Sequence, residues 1–199
     1  MTNNNDQYYI NQLLNGDTKA MTVLVDRYKD LIYTLALRML KNREEAEEVS
    51  QDTFIKMYKS LSKFKGDSKF STWLYKVAYN NCLDRIKKNK KQWNDVAIDE
   101  FSEHQIKTLD NALDTLMEKE RQQTIQNCLQ LLPSDESFLL TLYYYEDLSL
   151  EDISKIVGIT ANNVKVKLFR SRKKLTSILK QHLEPEIIEH YERASRYIG

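Results

Sequence analysis

Turn-forming residues are scarce in this chain of 199 residues, which carries four glycines and two prolines. With 30% charged residues and no convincing polar–apolar alternation, sheet architectures are disfavoured and helices are expected almost throughout. Cysteine is nearly absent too. Cys82 and Cys128 are far apart in sequence and set in helical patterns, which excludes a disulfide framework and makes them small core residues of a reduced, cytoplasmic protein. No apolar run approaches ~18 residues and no basic start with an apolar core and cleavage site appears, so neither membrane insertion nor secretion is expected. Nor is there an excess of one charge: 30 Lys plus Arg against 29 Asp plus Glu leave +1. A nucleic-acid partner therefore has to be argued from where the charges lie. His104, His182 and His190 lack metal-ligand spacing, and there is no Gly-rich phosphate loop or nucleophile motif. No metal, no cofactor and no catalytic residues are expected.

What is present is organised around residues 148–175, LSLEDISKIVGITANNVKVKLFRSRKKL. Ser149 is a good N-cap with Asp152 as the acidic partner three residues on, and Leu148 can staple to Ile153, so a short helix starts at Leu150. Gly158 ends it in a left-handed position, and Ile159 and Thr160 repeat the signal for a second helix, with a staple to Val164. Two helices joined by so tight a turn must cross steeply. On the second, Val164, Leu168, Ser171 and Leu175 form a buried stripe that Ile178 and Leu179 continue. The other side presents Asn162, Val166, Phe169, Arg170 and Lys173, with Lys165, Lys167, Arg172 and Lys174 on its shoulders. Such a face suits a major groove, where Asn and Arg pair with base edges and lysines reach phosphates. The plainer alternative is a solvated basic helix end favoured by the dipole.

The charges elsewhere are segregated. Glu44, Glu45, Glu47, Glu48 and Asp52 form an acidic block at the start of a helix expected over residues 42–61, whose inward residues would be Val49, Phe54, Ile55 and Tyr58. Acid at a helix N-terminus needs no partner to explain it. The exposed Glu48, Gln51, Asp52 and Lys56 also suit a basic protein surface. In FKGDSKFSTWLYKVAYNNCLDRIKKNKK, residues 64–91, Gly66-Asp67-Ser68 makes a turn between Phe64 and Phe70, and Ser71 or Thr72 caps the next helix. Leu74, Tyr75, Ala78, Tyr79, Cys82, Leu83 and Ile86 form its apolar side, with Trp73, Lys76, Val77, Asn80 and Lys87 opposite. An aromatic, lysines and an asparagine on one face resemble a stacking platform for unpaired bases. Packing of Trp73 against a neighbouring helix is the alternative.

Residues 8–15 and 18–40 read as helices, and 92–107 as an acidic stretch without periodicity. A helical region then runs from Leu109 to Pro133, and Ser134 starts a helix delivering the chain to Leu148. After Gln181, Ile187, Ile188, Tyr191, Ala194 and Ile198 share one face of a further amphipathic helix. The expected fold is all-α: an N-terminal helical domain over 1–91, a linker over 92–108, a helix-turn-helix domain over 109–180 and an additional helix over 181–199.

Three stretches in this order, AEEVSQDTFIKMYKSL, FKGDSKFSTWLYKVAYNNCLDRI and the helix-turn-helix segment, resemble successive regions of a bacterial RNA polymerase sigma factor of the small extracytoplasmic-function class. The resemblance spans about residues 8–179. It implies that Glu48, Gln51, Asp52, Phe54, Ile55 and Lys56 bind core RNA polymerase. It implies that Phe64, Lys65 and Phe70 hold a flipped base of the minus-ten element while Trp73, Lys76, Tyr79 and Asn80 contact the opening strand. Thr160, Asn163, Lys165, Val166, Phe169, Arg170 and Lys173 would read the minus-thirty-five element. Promoter DNA and core polymerase are the implied partners, and an anti-sigma factor is a further candidate because the class is often held inactive by one. Asn162 and Asn163 depart from the small or hydroxyl residues often found before Val164, and residues after Gln181 have no family role to carry over. A stand-alone helix-turn-helix regulator is the alternative function; it uses residues 148–175 but leaves the Trp73 helix and the acidic block idle.

Overall fold

The computed structural model describes residues 6–90 and 118–182, so the expected linker over 92–108 and all but the first two residues of the helix expected over 181–199 lie outside the described residues. Every regular element among the described residues is helical: α1 (Asp6–Leu14), α2 (Lys19–Leu40), α3 (Arg43–Ser60) with a 3-10 turn at Leu61–Lys63, α4 (Phe70–Lys90), α5 (Glu118–Leu131), α6 (Ser134–Tyr144), α7 (Leu150–Val157) and α8 (Ala161–His182). The boundaries follow local chemistry. Lys41 turns left-handed after α2 (φ 54°) and returns its N–H to the Leu37 carbonyl at 2.8 Å, closing the last turn. Asn42 then caps α3, its side chain accepting from the Glu45 N–H at 3.0 Å. Pro133 separates α5 from α6, because it has no N–H with which to continue the first helix.

Helix α4 starts earlier than its sequence suggests. Phe70 already lies in the first turn, and Trp73 donates its N–H to the Lys69 carbonyl at 3.2 Å. Ser71 and Thr72 therefore sit inside the helix and are not its caps, and the Thr72 hydroxyl is buried with no partner among the described residues. A second correction concerns α3. Ala46, Val49, Ser50, Thr53, Phe54 and Met57 face inward, whereas Ile55 and Tyr58 are half exposed. The buried stripe admits Ser50 and Thr53 because each hydroxyl donates to the carbonyl four residues back, at 2.6 and 2.7 Å, so neither is a bare polar group in the core. Those two places are then closed to Ile55 and Tyr58.

Helices α2, α3 and α4 pack on one another, with α1 against α2. Leu24, Ile32, Leu35, Met57 and Leu74 are fully buried between them, each such side chain contributing about 1.5–3 kcal/mol. A polar chain crosses this body: the Lys56 ammonium donates to Asn81 Oδ1, the Asn81 amide to the Thr53 hydroxyl at 2.9 Å, and that hydroxyl to the Val49 carbonyl. Cys82 is buried on the same side of α4, and burial pushes its thiol up to about 12, which makes it inert as a nucleophile. In the second body α8 lies against α5, α6 and α7, around the fully buried Leu132, Phe138, Leu142, Ile153 and Val164. The two bodies touch: α6 packs on α2, and α7 on α4. No described helix is long and apolar enough to cross a membrane.

Candidate functional site

Three surfaces carry the residues singled out by sequence. On α3, Glu48 and the neighbouring Glu45 face Arg85 of α4, with N···O distances of 2.7 and 3.9 Å, and Asn89 donates to Glu45 at 2.7 Å. Part of the acidic block is thus paired with the basic block inside the same body. Gln51, Asp52 and Ile55 stay exposed, and Asp52 has no charged partner among the described residues. Phe54 is 7% exposed and belongs to the core, so its ring is largely withdrawn from the outer face of α3. In its place stands Tyr58, 52% exposed and one helical turn beyond Ile55. Spacing three residues past an exposed isoleucine was the available signal; hydrophobicity alone pointed Tyr58 inward.

Around the loop before α4, Gly66 takes φ +78°, a conformation that lets the chain double back between Phe64 and Phe70. The aromatic ends do not stand apart as an open clamp. Phe64, Phe70 and Trp73 pack on one another with centroids 5.4–5.8 Å apart, and Tyr28 of α2 meets Phe70 edge-on at 5.7 Å. Phe70 is buried, Phe64 and Trp73 half-buried, while Lys65, Lys76 and Asn80 are exposed. Tyr79 stacks on Phe138 of the second body at 5.0 Å, so its ring is already occupied. Between α3 and α4 runs an open groove of about 400 Å³ whose lining combines Lys56, Lys59 and Lys63 with Ser60, Val77, Asn80, Asn81 and a single carboxylate, Asp84. Lys59 and Lys63 were missed by sequence reasoning. They recur with Lys56 at helical spacing, but only the packing of α4 against α3 sets them beside Asn80.

The third surface is α7–turn–α8. Ser149 accepts from the Asp152 N–H at 3.1 Å, and its hydroxyl donates to the Asp152 carboxylate at 2.9 Å. The acid thus ties to the cap's hydroxyl. Gly158 is left-handed (φ 75°), and Thr160 accepts from the Asn163 N–H at 3.3 Å as the cap of α8. The basic residues of α8 fall into two sets. Lys167 binds Asp135 at 2.9 Å, Lys174 binds Glu136 at 2.6 Å, and Arg172 donates to the Tyr144 hydroxyl at 3.2 Å; these anchor α8 to α6. The hydrogen bond to Asp135 raises the Lys167 pKa. Lys165 and Arg170 are exposed with no polar partner among the described residues, beside exposed Asn163, Val166 and Phe169. Lys173 rests its ammonium over the Phe169 ring at 4.9 Å. The tied cations flank the buried stripe of the helix and the free ones face outward between them, which leaves a cationic, part-apolar ridge on the solvent side.

Family models match both halves of the chain: Sigma-70 region 2 over residues 24–92 and Sigma-70, region 4 over residues 122–175. The ECF RNA polymerase sigma factor SigW of Bacillus subtilis is 37% identical over 177 residues, covering 86% of this chain and 95% of its own. The chain belongs to the ECF sigma factors of the Sigma-70 family. The RNA polymerase sigma-H factor of Pseudomonas aeruginosa is 32% identical over 185 residues, covering 90% of this sigma factor and 96% of its own length. In fold it resembles CnrH, solved in complex with the cytosolic domain of CnrY (TM-score 0.62, 19% identity, 89% of this chain and 99% of that one). It also resembles RpoE from Bartonella quintana, solved with the anti-sigma factor NepR (TM-score 0.62, 20% identity, 82% and 98%). Surface α3 and the α4 groove fall within the region 2 match, and the free ridge of α8 within the region 4 match.

Proposed function

We propose that this sigma factor engages core RNA polymerase through Gln51, Asp52, Ile55 and Tyr58, with Glu48 and Lys56 at the edge of that surface. It directs promoter recognition and strand opening for transcription initiation. Asn163, Lys165, Val166, Phe169 and Arg170 read the minus-thirty-five element, with Thr160 shaping the helix start and Lys173 reaching a phosphate. The opening minus-ten strand follows the groove between α3 and α4. Lys56, Lys59, Lys63, Lys65 and Lys76 neutralise its phosphates, Asn80 bonds a base edge, and Phe64, Phe70 and Trp73 form the aromatic wall against which a flipped base rests. The chemistry of RNA synthesis belongs to the polymerase, and this chain supplies no catalytic residue. It works in the cytoplasm, with an anti-sigma factor as a candidate partner. Its working parts are the domains over 1–91 and 109–180, joined by the linker over 92–108 and followed by the helix over 181–199.

The observation that carries this reading is the division of cations on α8: Lys165 and Arg170 are left unpaired on the ridge beside Asn163 while Lys167, Arg172 and Lys174 are spent on α6. A free ridge of that composition favours DNA over the solvated helix end. The test is co-elution of the purified chain with core RNA polymerase, followed by run-off transcription from the promoter of its own gene. Transcription that starts only when chain and core enzyme are both present supports the proposal. Tight duplex binding by the chain alone, with no effect on polymerase, would instead mark a stand-alone regulator.

A further inference from the structure

Two carboxylates border the exposed ridge of α8. Asp135 and Glu136 stand in the first turn of α6. Asp135 accepts from the Lys167 ammonium at 2.9 Å and Glu136 from the Lys174 ammonium at 2.6 Å, across 32 and 38 residues of sequence. The helix dipole favours acids in that turn, but it does not require them to reach a second helix. Nor do the bridges have much to hold. Helices α6 and α8 already enclose the fully buried Phe138, Leu142 and Val164. The Lys167 and Asp135 side chains are 47% and 48% exposed, and solvent reduces such an ion pair to a small contribution.

The position of the pairs on the helix gives them a different use. With about 100° between successive residues, Lys167 and Lys174 share the flank of α8 next to Asn163 and Arg170, while Lys165 and Arg172 lie on the opposite flank. A helix seated in the major groove, about 12 Å wide, turns its ridge to base edges and its flanks to the phosphates of either wall. On the first flank two lysines and two carboxylates cancel. On the second, Lys165 has no polar partner among the described residues, and Arg172 is bonded to a hydroxyl that leaves its charge uncompensated. One wall of the groove is gripped by charge and the other is not.

We propose that Asp135 and Glu136 are positioning residues for promoter discrimination: by holding Lys167 and Lys174 they keep one flank of α8 from gripping the phosphates of any duplex, so that binding depends on the base edges met by Asn163 and Arg170. The proposal rests on the sigma-factor reading above. Phosphate contacts carry no sequence information, and each one added strengthens binding to every duplex alike. Withholding two of them lowers the affinity for wrong sites without touching the contacts that tell sites apart.

The test uses holoenzyme reconstituted from the full chain and core RNA polymerase, on a duplex carrying the promoter of its own gene and on a promoter-free duplex of equal length. Affinities are measured between about 50 and 200 mM salt. Asp135→Asn should free Lys167, strengthen binding to the promoter-free duplex about threefold at the low-salt end and steepen the fall of log K with log salt by about 0.9, the value of one added phosphate contact. Adding Lys167→Gln to Asp135→Asn should restore the wild-type slope, and Lys167→Gln alone should leave it unchanged. Glu136→Gln is the second variant, with circular dichroism to check folding, and should act in the same direction through Lys174. If the bridges only anchor α8, Asp135→Asn and Glu136→Gln will weaken binding to both duplexes or leave it unchanged with no steeper slope, which overturns the proposal. A shallower slope for Lys167→Gln alone overturns it too, since Lys167 would then leave Asp135 for a phosphate. Wild-type holoenzyme that shows no preference for its promoter overturns the sigma-factor reading itself.

Discussion

Helices α4 and α8, of 21 and 22 residues, both mix basic and aromatic residues, yet their surroundings use them differently. Helix α8 gives its apolar stripe to α5, α6 and α7 and keeps a whole ridge free, from Asn163 through Lys165 and Val166 to Arg170. Helix α4 has neighbours on several sides: Leu74 and Cys82 are buried in its own body, Tyr75 and Tyr79 meet the second body, and the flank with Lys76 and Asn80 remains for a ligand. A helix at the periphery of its fold can be read for function from its own periodicity. A helix in the middle cannot, because the same aromatic residue can serve a base or a neighbouring helix.

The sharpest way to break the comparison is to hollow each body in turn. Ile153→Ala and Leu74→Ala each remove a fully buried side chain and should cost about 2–5 kcal/mol. Thermal unfolding followed by binding assays should show Ile153→Ala weakening minus-thirty-five duplex binding with core affinity retained. Leu74→Ala should do the reverse, and equal loss of both functions in both variants would mean that the bodies do not act separately.

A gentler comparison sets Arg170→Ala against Asn80→Ala, both exposed and neither expected to change the melting temperature. Loss of a bidentate base contact by Arg170 should weaken minus-thirty-five binding by about 1–3 kcal/mol. Loss of Asn80 should impair strand opening by about 0.5–1.5 kcal/mol, measured by permanganate reactivity of unpaired thymines, with core affinity untouched. Ser149→Ala removes the cap of α7 and should lower stability by about 1 kcal/mol, read from a denaturant midpoint.

The smallest effect concerns pH at the junction of the two regions. Burial raises the Glu146 pKa, while its hydrogen bond from Tyr75 opposes the shift. A carboxyl group with a raised pKa in the docked form favours docking when protonated. Its contribution is therefore fully present below the ordinary carboxylate range and is lost as pH rises through the raised value. Energy transfer between fluorophores on the two bodies, placed at Thr22→Cys and Lys155→Cys, should fall over that window in wild type and lose this pH step in Glu146→Gln.

Legibility followed the same division. The α7–turn–α8 unit was readable residue by residue, since Ser149, Gly158 and Thr160 act through backbone geometry within a few residues of themselves. On α3 the inward reading held at Val49 and Phe54 and failed at Ile55 and Tyr58. Ser50 and Thr53 can enter a core once their hydroxyls find carbonyls in the preceding turn, and a hydropathy pattern treats them as outward. At the loop, Phe64, Phe70 and Trp73 were recognised as aromatic neighbours, but the arrival of Tyr28 on Phe70 comes from a contact across 42 residues of sequence.

Sequence alone determined the helices, the caps at Ser149 and Thr160, the tight turn at Gly158 and the separation of acidic from basic blocks, because each of these depends on residues within one or two helical turns. Tertiary structure alone decided which cations of α8 are free and which are tied to Asp135, Glu136 and Tyr144, and that Lys59 and Lys63 share a groove with Asn80. It also decided that Tyr79 lies against Phe138. Those outcomes depend on which distant surfaces meet, and burial and charge pairing between them are not encoded in any single stretch of the chain.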